Sequence, residues 1–226
     1  MIGAECTNHQ FVRGSDIMDF VAIDFETATS GAKGICSMGI CTVSDGVVKE
    51  RKELLIKPEP FEFNEYNIKI HGITPEMVID KPTFKEYWSE IFPYLNDRIV
   101  VAHNASFDIG ALLKTLDMYK IEFPNFSYLC TVKLSKKAYP DLESHKLNAM
   151  AEFIGLDFEH HRANDDAYVC ARVFMKILED FKINTLEELA KKFGIGVGKI
   201  SPDFHLPCTK NEKKASKKSE FYLQLQ

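Results

Sequence analysis

The stretch Phe20-Val21-Ala22-Ile23-Asp24-Phe25, followed by Glu26, decides the fold. This short apolar run is rich in strand formers and reads as a β-strand. Side chains alternate faces along a strand, so Asp24 and Glu26 project from the same side. Two adjacent carboxylates repel each other, and near a core each is costly to strip of water. A divalent cation held between them removes both costs. A strand that simply ends here, with both acids in water, explains them equally well.

Downstream, Ile35–Val43 and Val47–Ile56 read as two more strands around Ser44-Asp45-Gly46, a hairpin. Thr74-Pro75-Glu76 supplies an N-cap residue, a proline at the first helical position and an acid in the first turn. Phe84, Trp88, Ile91, Phe92 and Leu95 then recur at helical spacing. Ile99–Ala102 is a strand, Ile109, Leu112, Leu113 and Leu116 mark a helix, and Phe126–Cys130 is a fifth strand. Helices are expected over Leu147–Ile154, over Asp165–Phe181 behind an Asn164 cap, and over Thr185–Phe193. In the last, Thr185 and Glu188 stand at capping-box spacing. A hairpin followed by strands alternating with helices predicts an α/β fold, with a mixed five-stranded sheet covered on both faces.

Two further acids stand where apolar residues belong. Asp108 lies four residues before Leu112, beside its helix's apolar stripe. Asp166 is the first member of the buried face Asp166, Cys170, Val173, Phe174, Ile177, Leu178. A first-turn acid suits the helix dipole, which accounts for Asp165 but poorly for two acids leaning toward a core. Carboxylate-only clusters select hard cations such as Mg²⁺ or Mn²⁺, and four carboxylates suit two such ions acting on a phosphodiester. A base is needed to take a proton from water near neutral pH. His161, five residues before Asp166, is a candidate, although a lone loop histidine is usually a surface residue.

The chain has 226 residues, 45% hydrophobic and 27% charged, an ordinary soluble globular composition. No apolar run approaches the ~20 residues of a membrane span, and the first seventeen residues do not resemble a signal peptide, so no membrane partner and a cytoplasmic location are expected. Six scattered cysteines without a CxxC pair point to neither zinc nor a disulfide framework. The net charge of −5 does not advertise a nucleic-acid binder, yet metal ions among the acids would offset it locally. Residues 1–17 read as an accessory leader ahead of Met18, 18–182 as the main domain, 183–208 as an appended helix and 209–226 as a mobile tail. Within that tail, Lys210–Lys218 is lysine-rich.

These residues together resemble the DEDDh exonucleases, the superfamily that includes the proofreading epsilon subunit of bacterial DNA polymerase III, ribonuclease T and oligoribonuclease. VAIDFETA carries Asp24 and Glu26, VAHNASFDIGAL carries Asp108, and HRANDDA matches HxAxxDA through His161, Ala163, Asp166 and Ala167. The alternative register through His160 and Asp165 would put Arg162 and Asp166 where the two alanines belong. The resemblance runs from Phe20 to about Phe174. It implies a ribonuclease-H-like αβα sandwich and stepwise 3′→5′ hydrolysis to nucleoside 5′-monophosphates. It also implies Asp24, Glu26, Asp108 and Asp166 as ligands of two Mg²⁺ or Mn²⁺ ions, with His161 as general base and His160 offset from the site.

By the same resemblance Thr27, His71, Ile73, Asn104 and Phe107 would meet the terminal nucleotide, although Gly72 and the Thr74 cap alone would explain the IHGITPEM turn. Ala28 replaces a threonine common in the polymerase subunit. The resemblance points to the 3′ end of single-stranded DNA ahead of RNA, and to a polymerase as partner. The alternatives are an exoribonuclease of the same fold and a catalytically silent binding module.

Overall fold

A computed structural model describes residues 18–30, 33–158, 160–208 and 216–217. The leader 1–17 and all but two residues of the tail 209–226 lie outside the described residues. Eight strands form one sheet: β1 (Phe20–Thr29), β2 (Lys33–Ser44), β3 (Val47–Leu55), β4 (Ile99–Ala102), β5 (Phe126–Cys130), β6 (Gly198–Ile200), β7 (Phe204–Leu206) and β8 (Ser216–Lys217). Their order is β3-β2-β1-β4-β5-β6-β7-β8. β4 and β5 run parallel to their neighbours on the β1 side, and the remaining pairs are antiparallel. The expected five strands form β3 through β5. The expectation of only five is corrected, because β6, β7 and β8 extend the β5 edge. Strands of two or three residues are too short for alternation to show in sequence.

The helices are α1 (Glu65–His71), α2 (Pro75–Val78), α3 (Phe84–Leu95), α4 (Ser106–Met118), α5 (Thr131–Ala138), α6 (Leu147–Phe153), α7 (Ala163–Phe181) and α8 (Leu186–Phe193). Alternation along β1 divides the core in two. Val21, Ile23 and Phe25 pack with Ile91, Leu95, Leu112 and Leu116 of α3 and α4. Phe20 and Ala22 pack on the opposite face with Leu134 of α5 and with Val173, Phe174 and Ile177 of α7. Phe20 meets Phe174 edge to face at 4.7 Å. Each fully buried Leu, Ile or Phe contributes about 1.5–3 kcal/mol of transfer free energy, so two filled layers hold the sheet between helices.

Three local expectations change. Thr74 stands at the N-cap position of only the short α2, with no side-chain capping bond, and the helix bearing Trp88 starts afresh at a Thr83–Glu86 capping box, because Pro82 cannot continue a helix. α7 begins at Ala163 instead of Asp165, with Arg162 at its N-cap, so tertiary packing starts it without an Asn164 cap. The segment 183–208 contains β6 and β7 as well as α8, whose Thr185–Glu188 capping box is present. Among the described residues no helix is long and apolar enough to cross a membrane, and five cysteines are free and buried.

Candidate active site

The even-numbered side chains of β1 face α7, so Asp24 and Glu26 point toward that helix's first turn. Gly39 of β2 pairs with Asp24, and a Cβ there would lie 1.8 Å from the Ala163 carbonyl oxygen. Only a residue without a side chain lets the start of α7 settle onto the sheet at this height, and that contact delivers Asp166 to the strand acids. The β1–β2 register shifts between Glu26 and Thr27, just past the two acids, and pairing then continues to Thr29.

Asp24, Glu26 and Asp166 each offer an oxygen atom, and these atoms lie within 4.8 Å of one another. Asp108 approaches from the other layer and stands just outside that group, only 1% exposed. The parallel ladder of β1 with β4 ends at Ala22 and Val101, and beyond it the Phe25 N–H donates to Asp108 Oδ1 at 3.1 Å. Both oxygens of Asp166 are engaged by the preceding loop. The His160 ring donates from Nδ1 to Oδ1 at 2.8 Å, and the His161 backbone N–H donates to Oδ2 at 2.9 Å. His161 takes a left-handed backbone with φ of 71°, sparsely populated for a non-glycine residue, and the two histidine rings stack at 3.8 Å.

Burial first, then Asp108, Asp166 and Glu26, push the Asp24 carboxyl well above the usual carboxylate range. Burial and then Asp166, Asp108 and Glu53 push Glu26 up to about 8. Burial also raises Asp108, against the pull of the Phe25 N–H. Folding therefore brings like charges together at a cost, which a hard divalent cation would offset. The all-oxygen donor set fits such an ion.

Asp24, Glu26 and Asp166 line a cleft of about 840 Å³, whereas Asp108 is buried and does not line it. Thr27, Asn104 and Phe107 line it as well, and Phe107 is 37% exposed, an aromatic face open to the cleft. His71 reaches the cleft, but its ring is committed: Nε2–H donates to the Thr27 carbonyl at 3.2 Å and Nδ1 accepts the Ile73 N–H at 3.0 Å. That neutral form agrees with the lowering of its pKa by burial. Asn67 Nδ2 holds the same Thr27 carbonyl at 2.8 Å. Ile73 is corrected: it is buried with Ala28, Cys36 and Val78 in a small core behind the cleft. The expected offset of His160 is corrected too, because its ring lies in the cleft on Asp166.

Tyr66 and Ile70, spaced i and i+4 on α1, form an exposed apolar wall that sequence reasoning missed along with the helix. Lys136 and Lys146 also line the cleft, with nothing in the motifs to single them out. His103 is structural. Its Nε2 donates to the His145 carbonyl at 3.0 Å and its Nδ1 meets the Thr131 hydroxyl at 2.9 Å, with burial holding its pKa down at about 4.

The family pattern described as Exonuclease matches residues 21–174, more than half of the chain. The chain is 34% identical over 181 residues to DNA polymerase III subunit epsilon of Aquifex aeolicus, covering 78% of this chain and 85% of that one. It is 31% identical over 208 residues to a PolC-type DNA polymerase III of Clostridium perfringens, covering 86% of this chain but only 14% of the polymerase. Among solved structures, Exonuclease X in complex with 5′ overhanging duplex DNA superposes with a TM-score of 0.64 at 26% identity, covering 77% of this chain and 99% of that one. The α/β fold is thus ribonuclease-H-like, and the chain belongs to the 3′→5′ exonuclease family.

Proposed function

We propose that the protein removes nucleotides from the 3′ end of single-stranded DNA as nucleoside 5′-monophosphates, with two Mg²⁺ or Mn²⁺ ions as cofactors. The observation that carries this reading is the group of three carboxylates within 4.8 Å, with Asp24 and Glu26 held above their ordinary pKa by burial and mutual repulsion. Asp24, Glu26, Asp108 and Asp166 are the residues that would hold the ions. When bound, the ions supply an activated water and charge neutralisation at the phosphate. His161 is the general base of this reading: burial, then His160, lower its pKa, so the ring is neutral and able to accept a proton near pH 7. Phe107 offers its exposed face to a base, a contact that tolerates any sequence. His71 and Asn67 hold the Thr27 carbonyl at the end of β1, fixing the strand on which Asp24 and Glu26 sit.

DNA is favoured because relatives are DNA polymerase III chains and Exonuclease X holds DNA. The same relatives make a polymerase the partner this reading suggests. The test is manganese-supported digestion of 3′- and 5′-labelled oligonucleotides, in DNA and RNA of one sequence. Loss of the 3′ label first, faster on DNA and abolished by EDTA, is expected. Faster loss on RNA would assign an exoribonuclease, and binding without hydrolysis would leave a silent binding module.

A further inference from the structure

A second cavity of about 610 Å³ lies on the other side of α5. One wall is Lys133, Lys136 and Lys137, at i, i+3 and i+4 on the same side of the helix. The facing wall is Ile195, Gly196 and Cys208, from the segment that follows the Exonuclease match at residue 174. Lys133 Nζ donates to the Cys208 carbonyl and lies 3.8 Å from its Sγ, which ties the added segment to α5. No acid lines this groove among the described residues.

Lys136 lines both this groove and the catalytic cleft, and Val132 of α5 also faces the cleft, so α5 is the partition between them. The catalytic end concentrates carboxylates, which repel a polyanion. A strand entering it gains most from cations placed one step away, and the three lysines stand there in a chain with net charge −5. The groove's lysine wall suits the phosphates of a strand.

We propose that this groove is a second strand-binding subsite, holding phosphates upstream of the nucleotide being removed. The added segment containing β6 and β7 builds its outer wall. The proposal rests on the exonuclease reading above. It separates the two regions by substrate length: the cleft serves every substrate, and the groove serves only strands long enough to cross α5.

The test compares the full chain with Lys133→Ala/Lys137→Ala, and with Lys137→Glu, which leaves the Lys133–Cys208 contact in place. Each is assayed on a dinucleotide and on a long single-stranded oligonucleotide in Mn²⁺, with fluorescence anisotropy of the labelled long strand in parallel. The double variant should raise KM and Kd for the long strand about tenfold, and flatten the log affinity against log salt slope by about 0.7 per lost phosphate contact. Its kcat and its dinucleotide kinetics should not change, and Lys137→Glu should act in the same direction. Unaltered long-strand affinity and salt slope in both variants would overturn the proposal, and so would equal losses on both substrate lengths. If the wild type hydrolyses neither substrate, the exonuclease reading falls, while anisotropy still decides whether the groove holds a strand.

Discussion

Asp165 and Asp166 are chain neighbours on the first turn of α7, and they meet opposite surroundings. Asp165 pairs with the Arg51 guanidinium at 2.5 Å, and Arg51 in turn lies 4.1 Å over the Tyr168 ring. Asp166 is 3% exposed and turned toward two more carboxylates. On the outer side of the turn an acid is given a cation and the contact fastens the helix to β3. On the inner side acids are collected against their electrostatic preference. The fold pairs Asp165 with a guanidinium, whereas the inner carboxylates receive hydrogen bonds from the His160 ring and from the Phe25 and His161 N–H groups, and a bound cation would offset their charge. Substitutions on the two sides should therefore separate stability from activity.

The largest effect is expected on the inner side. Asp24→Asn should lower hydrolysis by more than about a hundredfold, beyond the loss seen when only outer partners of a metal site are removed. The melting temperature in EDTA should hold or rise, since like-charge repulsion is relieved. The pH dependence carries the same signature. Glu26, raised from 4.5 to about 8, binds its proton more tightly folded than unfolded. Its contribution is fully present below about pH 4.5 and is lost as pH rises through about 8. The metal-free protein should lose melting temperature across that window, and Mg²⁺ or Mn²⁺ should restore it in the wild type but much less in Asp24→Asn. A mutant that unfolds at room temperature would make Asp24 a structural residue.

Next comes the loop before α7. His161→Ala should lower turnover on the order of 10²–10⁴, the usual loss for a general base, while metal-dependent thermal stabilisation survives. In the wild type the rate should rise with pH through the His161 pKa and level off where the ring is neutral. His160→Ala removes the ring hydrogen bond to Asp166 Oδ1 and should change turnover less than about tenfold. The reverse ranking of the two alanine variants would assign the base to His160.

Much of this was legible in the chain. Short runs of strand formers mark β4 and β5 to the residue, and the acids at Asp24, Glu26 and Asp166 stand out beside apolar patterns that the folded core does use. What escaped notice depends on tertiary position. α1 has no long periodic face, β6 and β7 are three residues each, and nothing local shows that His160 turns onto Asp166 or that Ile73 turns away. Gly39 lies between. A glycine inside a strand signals a close approach, but only the fold shows that Ala163 is what approaches. Gly39→Ala must displace that carbonyl, so a loss of about 1–3 kcal/mol, measured by urea unfolding, should accompany reduced activity as Asp166 moves from Asp24. Full activity in this variant would mean that the start of α7 need not sit on β2 for the acids to converge.

The smallest effect belongs to the outer side of the turn. Arg51 is partly exposed, as is Asp165, and a solvent-accessible ion pair contributes little because water screens it and holding both side chains costs entropy. The ring contact with Tyr168 adds about 0.5–1 kcal/mol at such a site. Arg51→Ala should therefore lower stability by no more than about 1–2 kcal/mol, with the deficit shrinking at high salt. Hydrolysis should stay within about twofold of the wild type, because Gly39 and the packed face of α7 still hold Asp166 in place. Asp165→Asn should cost less, because the Arg51–Tyr168 ring contact remains, and the double variant should add little beyond Arg51→Ala, which already removes the ion pair. If Arg51→Ala instead crippled hydrolysis while leaving the melting temperature intact, the outer pair would be positioning the inner acids, and the division of the turn into a structural and a functional side would fail.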